Sequence, residues 1–272
     1  MSEELEERAF RALTQKISLA RGVSCGSYKD RCLKRRIAVR MRARGVHTFD
    51  DYSKVLDQDA HEYDLLLDAL TINVTKFYRN PETWEALAPF LDDLWRARRG
   101  RIHVWSAGCA SGEEPYTLAV VLAETARRVE DGAGLSRVRV DATDVDRQSL
   151  ERTRAAAYAA DAFSEMPPAL VREYFTPVLP RSPLPAIRQA VQIIKHDLTR
   201  ERPPHPPYDL VVCRNVVIYF DRATQERLFS IFVDALAPGA ILLLGKVETL
   251  LGPARERLKL EVPRERIYRK PA

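Results

Sequence analysis

Residues 101–116, RIHVWSAGCASGEEPY, decide the fold of this chain. They open on a short apolar run, pass through seven small residues at 106–112, and lead into a second apolar run at 118–122. A strand, a small-residue turn and a helix form the first unit of a doubly wound α/β domain. Small residues let a ligand lie against the backbone, and the start of the helix offers free N–H groups. The stretch therefore predicts a ligand-binding turn.

The same turn excludes phosphate-bearing ligands. A P-loop needs a lysine after its last glycine, but Gly112 is followed by Glu113 and Glu114, and the GxGxxG spacing is also missing. Two carboxylates at this mouth would repel a pyrophosphate and attract a cation or hydroxyl groups. S-adenosylmethionine suits such a mouth, because it has a sulfonium, an ammonium and ribose hydroxyls and no phosphate. The alternative is that both acids only favour the start of the helix.

Composition bounds the class of protein. A length of 272 residues with 46% hydrophobic residues allows one large domain or two smaller ones. No run of about 18 apolar residues exists, and the acidic, polar N-terminus is unlike a signal peptide, so we expect a cytoplasmic protein. The four cysteines show no CxxC pair and no metal-ligand spacing. We therefore expect reduced thiols and no bound metal.

The first 75 or so residues are predicted to be helical, and one helix is strongly basic. Residues 29–44 hold eight Lys or Arg and one acid, a net charge of +7 against +5 for the whole chain. A stripe at helical spacing predicts the buried side, at Leu33, Ile37 and Met41. The opposite side carries Arg31, Arg35 and Arg42. This face is either a docking surface for an acidic partner or a solvated helix face.

Polar residues precede the α/β domain. Asn73, Thr75 and Arg79 supply an amide, a hydroxyl and a guanidinium, either for a ligand or as a capped linker. Asn80 and Pro81 are typical of a helix start, and that helix is predicted to run to about residue 98. Farther upstream, a second helix start is predicted, where Thr48 acts as the N-cap.

Acids are also predicted at the ends of two strands. Asp144 follows the strand at 138–143, where an acid usually binds ribose hydroxyls, and Asp146 is assigned as the cap of the next helix. Asp197 and Leu198 follow a strand ending at residue 195, where the carboxylate could meet an adenine amino group or simply stabilise a turn. These residues add a second carboxylate set to the predicted site.

In the last part of the chain, the alternation of strands and helices is predicted to be interrupted and then to resume. Residues 167–185 are rich in proline, and short strands are predicted on either side, at 174–178 and 186–195. The buried strand at 208–213 ends at Asn215 and Val216, beside the predicted crevice. Alternating strands and helices imply a mostly parallel sheet.

Four motifs together resemble the CheR-type methyltransferases of bacterial chemotaxis. They are LTINVTKFYRNPETW, VWSAGCASGEEPY, ATDVD and VVCRNVVIYFD, in this order and spacing. The resemblance implies a helical N-terminal domain at residues 1–78 and a Rossmann-like S-adenosylmethionine-dependent methyltransferase domain at 79–272. It also implies a small antiparallel β-subdomain inserted at about 174–195.

The resemblance implies methyl transfer from S-adenosylmethionine to glutamate carboxylates of chemoreceptors, with S-adenosylhomocysteine as product. Carried over by motif, the cofactor contacts are Asn73, Thr75, Arg79, Glu113, Asp144, Asp197, Leu198, Asn215 and Val216. The basic helix would meet the acidic helical bundle of the receptor. We expect a monomer with neither nucleic acid nor an inserted membrane segment. An RNA or small-molecule methyltransferase and a non-catalytic cofactor-binding regulator remain the alternatives.

The chain departs from the family pattern in two places. The insertion is short and has prolines where some members hold a receptor tail peptide with a Gly-rich loop, so we expect no such tethering. Residues 245–248 read Gly-Lys-Val-Glu where Gly-His-Ser-Glu is commoner, which leaves Lys246 without an assigned role. As positioning residues for catalysis we select Arg79 and Tyr219. Arg79 would hold a carboxylate, either that of the cofactor's methionine or that of the incoming glutamate, and Tyr219 would line the path of the methyl group.

Overall fold

The computed structural model of the chain describes residues 3–21, 25–70 and 75–272. They form two compact units. The first unit comprises the described residues before position 74 together with Tyr219–Thr224, and the second comprises residues 75–218 and 225–272. Across these described ranges, no helix is both long enough and apolar enough to span a membrane.

The first unit is helical, as predicted. Its helices are α1 (Glu3–Arg21), α2 (Asp30–Ala43), α3 (Phe49–Gln58) and α4 (Ala60–Leu70). The predicted stripe of α2 is buried in a core with residues of the other three helices, and its members are Leu33, Ile37 and Met41. The predicted cap of α3 is confirmed, because the Thr48 hydroxyl oxygen accepts the Asp51 N–H at 3.1 Å.

A buried carboxylate ties α2 to α3 and α4. Glu62 is fully buried, and Arg40 donates to it from Nε and Nη2 at 2.9 and 2.8 Å. The Tyr52 hydroxyl donates to the same carboxylate at 2.7 Å. A buried charge is tolerated when it is paired in this way. Arg40 is therefore neutralised inside the unit.

The basic face of α2 is exposed, with Arg31, Arg35 and Arg42 all open to solvent. Arg36 differs, since it is buried against the Tyr219 ring. Tyr219 also accepts the Lys29 N–H at 2.9 Å through its carbonyl oxygen. Nothing in the sequence pattern indicated that Tyr219–Thr224 joins the helical unit.

The second unit alternates helices and strands. Its first half contains α5 (Pro81–Arg98), β1 (Ile102–Ala107), α6 (Glu113–Arg128), β2 (Val138–Asp144), α7 (Arg147–Ala155), α8 (Pro168–Tyr174) and α9 (Pro185–Gln189). Its second half contains β3 (Val191–Lys195), β4 (Tyr208–Cys213), β5 (Leu236–Leu244), β6 (Lys259–Val262) and β7 (Ile267–Arg269). Helix α10 (Arg222–Ala235) precedes β5.

Within residues 102–269 these strands form a seven-stranded sheet in the order β3-β2-β1-β4-β5-β7-β6. Strands β1 to β5 pair in parallel, and β7 lies antiparallel between β5 and β6. The predicted Rossmann-like sheet is confirmed. The strand order reverses between β1 and β4, and ligands of such sheets bind outside the carboxyl ends of the strands at that point.

The proline-rich insertion differs from the expectation of short flanking strands. Residue 174 ends α8, residues 185–189 form α9, and the strand begins only at Val191 and pairs in parallel with β2. Antiparallel pairing in the insertion takes the form of single bridges, Tyr158 to Arg181 and Phe175 to Pro183. Tyr158 and Arg181 exchange both backbone hydrogen bonds, and the next donor needed on the second segment would be Pro183, which has no N–H, so this bridge cannot extend on that side.

Candidate functional site

The turn after β1 is fixed against β2 and approaches the end of β4 closely. The N–H groups of Gly108 and Cys109 donate to the Thr143 carbonyl at 2.8 and 2.9 Å. Gly108 has φ +85°, and a Cβ atom there would lie 2.5 Å from Cγ2 of Val216. Glycine is therefore required both by the backbone conformation and by the space available. Two predicted cofactor-binding loops meet at this point.

The two acids of the turn occupy different environments. Glu113 is buried and accepts the Ser111 hydroxyl at 2.8 Å, and burial raises its pKa. Glu114 accepts the Ser106 hydroxyl at 2.8 Å, and burial raises its pKa against the opposing charge of Arg214. The positive charge of Arg79 also lowers the pKa of Glu114, which opposes the effect of burial. The sequence selected Glu113 instead, and that assignment stays a prediction.

Asp144 ends β2 and is half-buried. Its two oxygens accept the N–H groups of Ala110 and Asp146, each at 2.9 Å. Burial raises the pKa of Asp144 to about 6, although these donors oppose the shift. Asp146 accepts the N–H groups of Gln148 and Ser149, so its predicted role as the cap of α7 is confirmed. Asp144 is left as the acid predicted to face a ribose.

Arg79 lies in a turn that is held from several sides. Thr75 is partly buried just upstream, whereas Asn73 lies outside the described residues. The predicted helix after Pro81 is confirmed as α5, but Asn80 does not cap it with its side chain. Asn80 has φ +61°, and its side-chain oxygen instead accepts a hydrogen bond from Arg214 at 2.8 Å.

The loop after β4 is organised by a carboxylate that the sequence did not select. Glu248 is 2% exposed, and its Oε2 accepts the N–H groups of Asn215 and Gly245 at 3.0 and 2.6 Å. Its Oε1 accepts the N–H of Val216 at 3.0 Å. Burial raises the pKa of Glu248, and the backbone donors oppose that shift. Glu248 therefore fixes both residues that the sequence assigned to cofactor binding in this loop.

Asp197 and Leu198 follow β3 next to Asp144, since the His196 N–H donates to the Asp144 carbonyl at 2.9 Å. Asp197 Oδ1 accepts from the Thr199 N–H and hydroxyl at 2.8 and 2.6 Å. This geometry shows the turn-stabilising role that the sequence left open. The contact of Asp197 with adenine stays a prediction.

Tyr219 belongs to the first unit and packs there against α2. The Arg36 guanidinium lies 4.2 Å from the centre of its ring, and burial lowers the pKa of Arg36. A guanidinium over an aromatic face is attracted by the ring electrons. The role of Tyr219 along the methyl path stays a prediction.

Lys246 joins the end of β5 to the first turn of α5. Its Nζ pairs with Glu82 and lies 3.5 Å from Glu265, which in turn accepts the Thr83 hydroxyl at 2.5 Å. Lys246, at which this chain departs from the commoner family sequence, therefore links the end of β5 to α5 through charged side chains.

The sequence reasoning missed Arg214 and Glu248. Arg214 directly follows the apolar run of β4, and a charged residue at that position is a signal that could have flagged it, whereas Glu248 lies four residues after β5 and has no such signal. Their partners are distant in the chain, so their roles could not be read from local pattern. Together with Glu114 they place alternating charges around Arg79 and Asn215.

These residues fit S-adenosylmethionine. Because Gly108 has no side chain, its turn packs directly against Val216 and brings the two predicted cofactor-binding loops together. The acids Asp144 and Glu114 and the guanidinium of Arg79 suit ribose hydroxyls, an ammonium and a carboxylate, and the turn has no lysine for a phosphate. Among the described residues, no group of three or more His, Cys, Asp or Glu side chains is arranged to hold a metal ion.

Comparison with known proteins identifies the family. Residues 8–71 match the family model of the CheR methyltransferase all-alpha domain, and residues 73–265 match that of the CheR methyltransferase SAM binding domain. A chemotaxis protein methyltransferase of Klebsiella aerogenes is 32% identical, with 93% of this chain and 87% of that protein covered. Chemotaxis protein methyltransferases of Escherichia coli and Listeria monocytogenes are 32% and 31% identical, with 85% and 92% of their lengths covered.

The reversed strand order, the polar residues gathered at the carboxyl ends of the strands and the SAM-binding match define an S-adenosylmethionine-dependent methyltransferase. Within that class, the chain belongs to the CheR methyltransferase family. The family resemblance read from the four sequence motifs is confirmed.

Proposed function

We propose that this protein transfers a methyl group from S-adenosylmethionine to glutamate carboxylates of chemoreceptors, forming glutamyl methyl esters. The observation that carries the proposal is a chain of contacts. Asp144 accepts an N–H of the turn after β1, this turn packs against Val216 in the loop after β4, and Arg214 at the start of that loop holds the Arg79 backbone. The relatives are named chemotaxis protein methyltransferases, and the glutamate carboxylate as acceptor is what the family resemblance implies. We propose that the reaction takes place in the cytoplasm and that the chain acts as a monomer.

The cofactor would be held by residues on the carboxyl edge of the sheet. Asp144 faces the ribose hydroxyls, Arg79 faces the methionine carboxylate, and Asp197 with Leu198 faces the adenine. Asn215 and Val216 contact the nucleoside from the loop after β4. Glu113 contacts the cofactor from the turn after β1. Asn73 and Thr75 are the remaining residues that we propose as cofactor contacts.

The chain has little acid–base chemistry to perform. When bound, S-adenosylmethionine supplies a methyl group activated by its sulfonium. A glutamate carboxylate is already ionised at pH 7, so no general base is needed. The residues of the crevice orient the two partners and exclude water, and orientation can contribute on the order of 7 kcal/mol. Because opposite charges are neutralised as the methyl moves, a dry pocket favours the transfer.

The exposed basic face of α2 is proposed as the docking surface for the receptor. Arg31, Arg35 and Arg42 are all exposed, whereas Arg40 is neutralised by Glu62 and does not contribute. An acidic bundle of receptor helices has the complementary charge. Such steering is screened by salt, so turnover should fall as ionic strength rises.

A base-lability assay tests the reaction. The chain is incubated with methyl-labelled cofactor and a receptor cytoplasmic fragment, and the products are treated with alkali. Methyl esters release labelled methanol, and we expect most of the label to be recovered in that form. Label that survives alkali on RNA or a small molecule would favour the alternative substrates, and no transfer at all would favour a regulator that only binds the cofactor.

We also propose that the receptor is bound without a tail-peptide tether. Between residues 174 and 190 the antiparallel pairing of the insertion is limited to single bridges, Tyr158 to Arg181 and Phe175 to Pro183. Calorimetric titration with a receptor C-terminal peptide is expected to give no saturable binding up to about 1 mM. Tight, stoichiometric binding of that peptide would contradict the proposal.

A further inference from the structure

Arg214 is a buried guanidinium at the end of β4. It is 7% exposed and directly follows Cys213, the last residue of that strand. Its Nη2 atom donates to the Arg79 carbonyl at 2.9 Å and to Oδ1 of Asn80 at 2.8 Å. Burying a charge costs free energy that pairing must offset, so a guanidinium kept at this place points to a role beyond packing.

The turn that Arg214 holds has an unfavourable backbone conformation. Tyr78 and Asn80, on either side of Arg79, have φ of +59° and +61°, which residues other than glycine rarely adopt. Such a turn persists only where its surroundings fix it. Besides Arg214, three other side chains hydrogen-bond to its backbone, namely the Thr117 hydroxyl, the Glu165 carboxylate and the Trp84 indole.

Arg214 also sets the charge beside Arg79. Its Nη1 atom lies 3.8 Å from Oε2 of Glu114, and its guanidinium stacks over the Trp84 ring at 5.2 Å. Glu114 is influenced by the positive charges of both Arg214 and Arg79. Arg214 thus contacts the backbone of Arg79 on one side and, on the other, balances the Glu114 carboxylate, which the Arg79 charge also stabilises.

We propose that Arg214 is a positioning residue for the amino-acid half of the cofactor, acting by fixing the turn that carries Arg79. The inference rests on the proposed function, in which Arg79 meets the methionine carboxylate. Because Arg214 acts through Arg79, its loss should weaken ligands that carry the amino-acid half and spare those that lack it. Lysine should replace it only in part, since an ammonium keeps the charge but does not present the planar fork of donors.

The test compares two ligands in the full chain by calorimetry. S-adenosylhomocysteine carries the amino-acid half, and 5′-methylthioadenosine keeps the nucleoside and the thioether without it. We expect Arg214→Gln to raise the Kd of S-adenosylhomocysteine about 10- to 100-fold and to change that of methylthioadenosine by less than about twofold. Arg214→Lys is expected to restore part of the loss. Adding Arg214→Gln to Arg79→Ala should weaken S-adenosylhomocysteine no further.

Arg98 provides the matched control. It donates to the Asp209 carboxylate at 2.6 Å and the Pro238 carbonyl at 2.7 Å, which is the same kind of clamp away from the crevice. Arg98→Gln is expected to reduce stability without separating the two ligands. Equal loss of both ligands in the folded Arg214 variants, or additive losses in the double variant, would overturn the inference. A wild-type chain that binds neither ligand would overturn the proposed function, and this inference with it.

Discussion

Asp144→Ala is expected to raise the Kd of S-adenosylhomocysteine about 100-fold. Asp144 ends β2 at the switch point and is half-buried, so a bound ribose would meet its carboxylate in a desolvated place. Hydrogen bonds to a charged group contribute about 1.5–3 kcal/mol each, and losing them accounts for this factor. Calorimetric titration of the full chain measures it.

The same residue should make cofactor affinity depend on pH. Burial raises the pKa of Asp144 to about 6, so the carboxyl is ionised at pH 7.5 and largely neutral at pH 5. Ribose hydroxyls donate better to the ionised form, so the Kd of S-adenosylhomocysteine should rise about tenfold over that interval. Asp144→Asn should bind more weakly than wild type at pH 7.5 and lose most of this dependence.

As the pH falls, the stability of the ligand-free protein should change in the opposite direction to its affinity for the cofactor. The folded pKa of Asp144 lies above that of an unfolded aspartate, so the ligand-free folded state takes up this proton more readily. Through this group, the free energy of unfolding therefore rises as the pH falls from about 7 to 5, measured relative to Asp144→Asn. An affinity that is independent of pH in wild type would contradict the assignment of Asp144 to the ribose.

Asp146→Asn is the control for both measurements. Asp146 caps α7, and asparagine caps helices equally well, so the fold should be retained. Its negative charge contributes to the raised pKa of Asp144, so removing it should shift the midpoint of the affinity profile to lower pH. The affinity at pH 7.5 should stay unchanged.

The fold could be predicted largely from the sequence because its signals are local. Every residue of the run at 208–213 is buried in the structure, as a central parallel strand requires. The small-residue turn at 106–112 precedes α6 as expected. The proline-rich segment was harder to predict. Whether a short run such as 174–178 forms a strand depends on a partner elsewhere in the chain, and local pattern does not supply that partner.

The site was predictable only in part, for a related reason. Strand ends mark Asp144 and Asn215, because their position in the sheet follows from the alternation of elements. The residues that hold these groups in place depend on contacts across the chain. Arg214 reaches back to Arg79, and Glu248 reaches the Asn215 loop across α10 and β5 in sequence. Such pairings appear only once the fold is known.

Glu248→Gln should have the largest combined effect on stability and binding. The Glu248 carboxylate accepts the N–H groups of Asn215, Val216 and Gly245, and a glutamine of the same shape keeps one accepting oxygen. Its NH₂ group would face backbone donors, so at least one buried N–H loses its partner. Each such loss costs about 1–3 kcal/mol. We expect a free energy of unfolding about 3 kcal/mol lower, measured by urea denaturation.

The effect should extend to the cofactor, because Glu248 determines the conformation of the loop it holds. Asn215 has φ +61°, and a Cβ atom on Gly245 would lie 2.6 Å from Oε2 of Glu248, so the carboxylate fits tightly between the two loops. When the loop relaxes, Val216 no longer lies against the Gly108 turn. The Kd of S-adenosylhomocysteine should therefore rise at least about tenfold.

Glu62→Gln is the control that separates an effect on the loop after β4 from a general loss of stability. Glu62 is also buried and multiply hydrogen-bonded, by Arg40 and Tyr52, but it lies in the helical unit. Its replacement should reduce stability and leave the Kd of S-adenosylhomocysteine within about twofold of wild type. If Glu248→Gln binds S-adenosylhomocysteine as tightly as wild type, the Asn215 loop keeps its shape without the charge. The backbone conformation of the loop, rather than the buried carboxylate, would then be what holds that side of the crevice.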